Sequence, residues 1–285
     1  IGEAGVLYDS LSMVESGENI HQYLKNLGYF NNRVEVHAEY HRKKPKVKVY
    51  YDIYPSRAYR IREWSYDIRD SQLARYVFSD TSLSKIKSGS YYDVYKMDSE
   101  RDRITTVLNN KGYYRFTKES ILYEIDSTLG SRQLDVILKV ENNLIPSPAE
   151  PGKLLEVRHS RYFINRVFIN PAYDPVSSRR MKFDTLQQEV HQLRKDSPPD
   201  HYYFLHKGRI KVNPRTITQS IFIEDNEPYS LKDVQQTYRR LGGISAFDYK
   251  SIQFTEVKRD TMIYDSTDKF LRCNINLSRS RLMSY

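Results

Sequence analysis

Seven histidines and one cysteine are the side chains in this sequence best suited to bind a metal or attack a carbonyl, and their spacing favours neither. His37 and His41 are four apart, yet His37-Ala38-Glu39-Tyr40-His41 alternates like a strand, where i and i+4 are distant. The His-Glu-x-x-His spacing of a helical zinc site is not met. Cys273 falls inside the alternating run Phe270 to Leu277 and reads as a packed thiol. A single cysteine also excludes a disulfide framework and a cysteine-rich zinc site. Gly242-Gly243 ends a helical pattern instead of opening one, so it is no phosphate loop. The residues therefore predict no catalytic group, no metal and no cofactor: the chain is expected not to be an enzyme.

Charge points to binding instead. Arg42, Lys43, Lys44, Lys46 and Lys48 cluster between two alternating runs. Their ordinary reading is a solvated hairpin tip. Their functional reading is contact with anionic headgroups, about 1 kcal/mol per basic residue close to such a surface. Across the chain 45 Lys and Arg outweigh 36 Asp and Glu, a net +9, which permits phospholipid or nucleic acid without choosing between them. Hydrophobic residues are 39% and no run approaches the ~18 apolar residues of a spanning helix. With 25 Tyr and 11 Phe, sheet is favoured. No basic segment followed by an apolar one marks a signal peptide, and an opening on Ile1-Gly2-Glu3 reads as part of a longer chain.

What must position these residues is a repeat. Gly5-Val6-Leu7-Tyr8-Asp9 up to Leu24-Lys25-Asn26-Leu27-Gly28-Tyr29-Phe30 recurs as Gly89-Ser90-Tyr91-Tyr92-Asp93 up to Leu108-Asn109-Asn110-Lys111-Gly112-Tyr113-Tyr114, every pair 84 residues apart. Tyr229-Ser230 up to Tyr238-Arg239-Arg240-Leu241-Gly242 is a third copy. Ahead of each glycine, Ile20, Tyr23, Leu24 and Leu27, then Ile104, Val107 and Leu108, then Val234, Tyr238 and Leu241 have helical spacing. Gly28, Gly112 and Gly242 then read as left-handed C-caps. Ser99 with Asp102, and Ser230 with Asp233, read as capping boxes at the helix starts.

After each glycine come paired alternating runs: Val34 to Tyr40 with Lys46 to Tyr54, Phe116 to Ile125 with Gln133 to Val140, and Tyr249 to Val257 with Lys269 to Leu277. Joined by polar turns, these predict β-hairpins. A further strand, Tyr59 to Tyr66 or Tyr162 to Ile169, opens the second and third units. A short helix follows it, Ser71 to Val77 or Pro214 to Phe222, the latter capped by Asn213 with a first-turn proline. The unit is β-α-α-β-β. Phe183, Leu186, Val190 and Leu193 predict an extra amphipathic helix over Lys182 to Lys195. Glu141 to His159, with Pro146, Pro148, Pro151 and Gly152, predicts an extended linker, longer and looser than Pro55-Ser56-Arg57-Ala58.

The helix, the Leu-x-x-x-Gly-Tyr-Phe pattern, the hairpin and the short run from Tyr50-Tyr51-Asp52-Ile53-Tyr54 through Pro55 to Ile61 resemble the POTRA domain of the BamA/TamA superfamily of outer-membrane assembly proteins. The opening Ile1 to Tyr8 and the Tyr229 to Leu241 segment resemble most the TamL branch, the lipid-anchored relatives of TamA. The resemblance implies an α+β fold of tandem POTRA domains, each a three-stranded mixed sheet covered by two helices. It divides the chain into 1–57, lacking its first strand and helix, 58–143, a linker at 144–160, and a barrel-adjacent domain at 161–285 with an insertion at about 171–208. Asn274 to Tyr285 resembles the junction to a barrel that is not in this sequence, and neither is an amino-terminal part with a lipidated cysteine.

In such a unit one hairpin strand is left at the sheet edge, and an open edge is a template for another chain. The resemblance thus implies β-augmentation, a client strand added to the sheet through backbone hydrogen bonds. The candidate contacts are Val34, Val36, Ala38 and Tyr40, then Phe116, Lys118, Ile121 and Tyr123, then Ile252, Phe254 and Val257. The other reading is a solvated edge guarded by charges such as Arg33, Glu35, Glu39, Lys118, Glu119 and Lys258. The partners implied are nascent outer-membrane proteins or lipoproteins, the chain's own C-terminal β-barrel, a periplasm-spanning TamB-like protein and membrane headgroups, at the periplasmic face of the outer membrane. The alternative is a single-stranded nucleic-acid binder with KH-like tandem domains. It lacks the Gly-x-x-Gly loop between paired helices that a KH domain needs, so no nucleic acid is expected.

Overall fold

The structure, a computed structural model, describes residues 7–147, 149–174, 184–190, 200–207, 212–257 and 268–279. They form two compact units, one of residues 1–71, 79–103 and 118–141, the other of 72–78, 104–117 and 142–285.

In the first unit, α1 (Ser10–Asn26) starts at Asp9, whose carboxylate accepts the Leu11 amide at 3.0 Å. It lies close on β1 (Arg33–Tyr40), with Gly17 facing Val36, where the glycine leaves room for the strand. β2 (Val47–Tyr54) pairs antiparallel with β1 to make a two-stranded sheet. β3 (Arg60–Ile68) then enters a second sheet. In the chain α2 (Ser71–Phe78), which from residue 72 belongs to the second unit, and α3 (Val94–Asn109), which does so from residue 104, come before β4 (Ile121–Asp126) and β5 (Gln133–Val140). The sheet order is β3-β5-β4, with β3 parallel and β4 antiparallel to the central β5. Leu134, Val136, Leu138 and Val140 alternate into the core, and Ile61, Ile86, Tyr92 and Met97 pack with the first two. This is the mixed three-stranded arrangement the repeat predicted, with the first hairpin strand at the edge.

α3 begins earlier than expected. Asp93 accepts the amides of Tyr95 and Lys96 at 2.9 and 3.1 Å, while Ser99 lies mid-helix with its hydroxyl on the Tyr95 carbonyl. Ser99 is therefore not a cap. Asp9, Asp93 and Ser230 stand at matching positions of the repeat, and each caps its helix.

In the second unit the segment read as an extended linker is a hairpin, β6 (Asn143–Pro146) antiparallel to β7 (Leu154–Val157). Its base is held by buried His159, which meets Asn143 at 3.1 Å and the Phe116 ring at 4.9 Å. β8 (Tyr162–Asn170), β9 (Asp184–Val190), β10 (Asp200–His206), α4 (Pro214–Thr218), α5 (Leu231–Gly242), β11 (Phe247–Val257) and β12 (Lys269–Arg279) complete the chain. Asn213 caps α4 with Pro214 in the first turn, as the sequence indicated, but the helix stops at Thr218.

The sheet here has five strands, in the order β11-β12-β8-β10-β9, not three. Over the described part of Lys182 to Lys195 the predicted helix is instead β9, paired antiparallel to β10 with Leu186 opposite Phe204. Leu186 and Val190, four apart, satisfy the period of two as well as that of a helix, and pairing with β10 decides. Phe183, Leu193 and the ends of that prediction lie outside the described residues, as do Pro148, Lys258, residues 1–6 and 280–285. The core gathers Tyr162, Ile164, Val167, Tyr202, Phe204 and Cys273, all buried. Burial pushes the Cys273 thiol well above its ordinary pKa, which suits a packed, unreactive sulfur.

Candidate functional site

Two joints, one in each unit, share one geometry. In the first, the Tyr59 amide donates to the Gly28 carbonyl at 2.9 Å and the Tyr92 amide to the Tyr59 carbonyl at 3.1 Å. In the second, Tyr162 donates to Gly112 at 2.8 Å and Tyr229 to Tyr162 at 2.9 Å. The aromatic two residues beyond each glycine closes the joint. Phe30 packs at 4.9 Å from Tyr59 and 5.1 Å from Tyr92, and Tyr114 at 5.6 Å from Tyr162 and 4.9 Å from Tyr229. Gly28 and Gly112 have φ of +85° and +102°, as C-caps of this kind require. They also admit the next strand. A Cβ on Gly28 would stand 3.0 Å from the Tyr92 carbonyl oxygen, and one on Gly112 2.7 Å from Arg161 Cγ.

Gly242 departs from this pattern. It is the last residue of α5, has no positive φ, and the cap is Gly243 in the right-handed region at φ −75°. The expected left-handed cap at Gly242 is thus corrected: among the described residues a Cβ there would meet nothing within 4 Å.

Buried tyrosines at the joints are hard to ionise. Burial, then a 3.0 Å hydrogen bond to Glu256, takes Tyr162 up to about 12, and burial takes Tyr229 to about 12.

The joints hold sheets whose edges are open. β1, β4 and β11 each lie at an edge, as predicted. On β1 the half-buried Val34, Val36 and Ala38 share one face, and Tyr40 is exposed beside Tyr8. The other face carries its own charge ladder: Arg33 with Glu35, His37 with Asp52, and Glu39 with the Tyr50 hydroxyl. Arg42, Lys43, Lys44, Lys46 and Lys48 are all exposed, in the turn or at the start of β2.

β4 corrects two candidate contacts. Phe116 precedes the strand and is buried against His159, and Lys118 sits in a 3-10 turn with its ammonium 3.0 Å from Asp98. The strand starts only at Ile121, which is fully buried. Tyr123 is half-buried with its hydroxyl on the Met97 carbonyl, so Leu122, Glu124, Ile125 and Asp126 are the exposed positions. Ile252 and Phe254 of β11 pack on the core and Val257 is half-buried. None of the named edge side chains converge. What the edges offer in common is backbone.

The far edges differ. The start of β3 is covered by the segment before α3: Ile61 donates to Ser90 at 2.8 Å, Gly89 to Ile61 at 2.7 Å, and Trp64 to the Ser88 hydroxyl at 3.2 Å. Ile164 of β8 is covered likewise, by Glu227 and Asn226. Among the described residues β4 has no backbone partner besides β5. β9 is a further edge that sequence reasoning missed.

Among the described residues no cluster of His, Cys, Asp and Glu is arranged to hold a metal, and no helix is long and apolar enough to cross a membrane.

No protein-family model matches the sequence, and no curated protein matches it. Among solved structures it is similar to POTRA domains 3–5 of BamA from Haemophilus influenzae, at 12% identity over 96% of this chain and 83% of that one, TM-score 0.47. It is similar to the N-terminal domain of Omp85 from Thermosynechococcus elongatus, at 10% identity over 98% and 88%, TM-score 0.28. It is also similar to CdiB from Acinetobacter baumannii, at 10% identity over 97% of this chain but only 40% of that protein, TM-score 0.24. None of these is of the TamL branch.

Proposed function

We propose that this chain is a POTRA array, a non-catalytic periplasmic scaffold of an outer-membrane protein that assembles or translocates polypeptides, and that it docks extended client segments on its open strand edges. One observation carries this reading: in each repeat the first hairpin strand, β1, β4 or β11, is an edge, while the start of the opposite strand of the three-stranded sheet, β3, is covered. A sheet that covers one edge and opens the other is suited to adding a strand on the open side. Because the edge side chains diverge in type, backbone pairing supplies affinity and sequence preference is loose. The barrel beyond the array and its lipoprotein or outer-membrane clients belong to the same proposal.

The test uses an extended, β-prone peptide and the same peptide N-methylated at adjacent central residues, so that both of its edges lose donors. Binding by the first and not the second supports edge pairing. Equal binding by both contradicts it, because N-methylation removes backbone donors and leaves the side chains in place.

A further inference from the structure

We propose that the first unit carries an anion-binding cleft that takes carboxylates of an acidic polypeptide segment, built from Arg57, Arg60 and Arg132. The cleft, of about 590 Å³, opens beside the Gly28 joint and is also lined by Tyr29 and Tyr91. That volume suits several side chains of a bound segment and exceeds a single small ion.

The three arginines come from separate stretches that the fold brings together. Arg57 is in the short connection after β2, Arg60 opens β3, and Arg132 ends the β4–β5 turn, its carbonyl accepting the Arg60 amide at 3.0 Å. Among the described residues none of the three forms an ion pair, whereas Arg33, Arg62, Arg103 and Arg115 all do. The cleft's one carboxylate, Asp93, is committed to capping α3 and to Lys96 at 3.6 Å. Arg60 is already oriented: it donates to the Gly89 carbonyl at 3.0 Å and the Tyr91 hydroxyl at 2.5 Å, and lies 3.9 Å over the Tyr91 ring. Two of its five donors are so used, leaving the rest of a planar fork that matches a carboxylate.

Backbone strain collects here as well. Ser56, Ser131 and Arg132 have φ of +61°, +50° and +58°, three of the four non-glycine residues with positive φ among those described, and all three line the cleft. Conformations of that cost tend to persist where a side chain must be held in place.

The second joint is an internal control. Its cleft, of about 560 Å³, has Lys111 and Arg161 but sets Glu224, Glu227 and Asp233 against them. The shared joint framework therefore does not by itself create positive charge. Of these two clefts only the first carries excess cation, and an acidic partner is its complement. Polypeptide is favoured over a lone phosphate by the cleft's size and by tyrosine surface suited to the apolar stems of acidic side chains. This site lies apart from the backbone edges and does not depend on β-augmentation.

The experiment is fluorescence anisotropy of the 285-residue chain with a labelled peptide of alternating glutamate and threonine, and with its glutamine counterpart, at about 0.15 M ionic strength. The glutamate peptide should bind about tenfold more tightly than the glutamine one, and R57Q/R132N should lose about tenfold. K111Q, at the second joint, should change nothing. Asn tolerates the backbone at 132; if the double variant nevertheless melts early, R57Q alone should weaken binding about threefold. Unchanged affinity in these variants, or equal binding of the two peptides, would overturn the proposal. So would inorganic phosphate, phosphatidylglycerol vesicles or a single-stranded oligonucleotide engaging the three arginines where the peptide does not.

Discussion

The amide of Tyr162 donates to the carbonyl of Gly112 at 2.8 Å, and the Cβ that Gly112 lacks would stand 3.3 Å from the carbonyl oxygen of Tyr162. One glycine thus ends a helix and admits the next strand. Gly112→Ala should cost about 1–3 kcal/mol, from the positive φ and the displaced Arg161 side chain. Gly242→Ala should be neutral or stabilising by up to about 1 kcal/mol, since Gly242 is helical and unobstructed. Chemical denaturation of the two variants checks the pair, and equal losses would contradict the distinction between joint and plain helix end.

The same joints predict alkaline sensitivity. Tyr162 and Tyr229 are both raised from 10.0 to about 12, so the folded state holds its phenolic protons longer than the unfolded chain. Below pH 10 neither state has ionised and nothing is lost. Between 10 and 12 the unfolded chain releases protons first, and stability falls as pH rises. Tyr229→Phe should make that decline shallower by about one proton, read from denaturation midpoints across this range. An unchanged slope would show that Tyr229 titrates alike in both states.

On β4, adjacent residues should respond oppositely. Ile121 is fully buried and Leu122 is 41% exposed. Ile121→Asp should cost more than about 3 kcal/mol, by loss of packing and burial of an unpaired charge, whereas Leu122→Asp should stay within about 1 kcal/mol. Thermal melts of the two variants measure this, and a reversal would mean the strand register is shifted by one.

Much of the architecture was legible because it repeats: the helices ahead of Gly28 and Gly112, 84 residues apart, and the hairpins after them follow from spacing and alternation. The cap of α3 was not, since Ser99 has the spacing of a capping box while Asp93, at the position of Asp9, accepts the first amides. What was hidden is non-local. β9 was misread because Leu186 and Val190 fit both periods and only pairing with β10 separates them. Phe116 and Lys118 were misplaced because His159 and Asp98, distant in sequence, draw them out of the strand. The glycine motif was read as a cap alone; Tyr59 and Tyr162 reveal its second duty. No periodicity joins Arg57, Arg60 and Arg132, so their cleft had no sequence signal.

Amide hydrogen exchange on the chain saturated with an extended client peptide tests the central claim most directly. Edge pairing predicts new protection at alternate amides of β4, β1 or β11, those facing away from the paired strand, with α1, α3 and the joint amides of Tyr59 and Tyr162 unchanged. Protection confined to helix surfaces or to the basic turn Arg42 to Lys48, with all three edges exchanging as in the free chain, would contradict it.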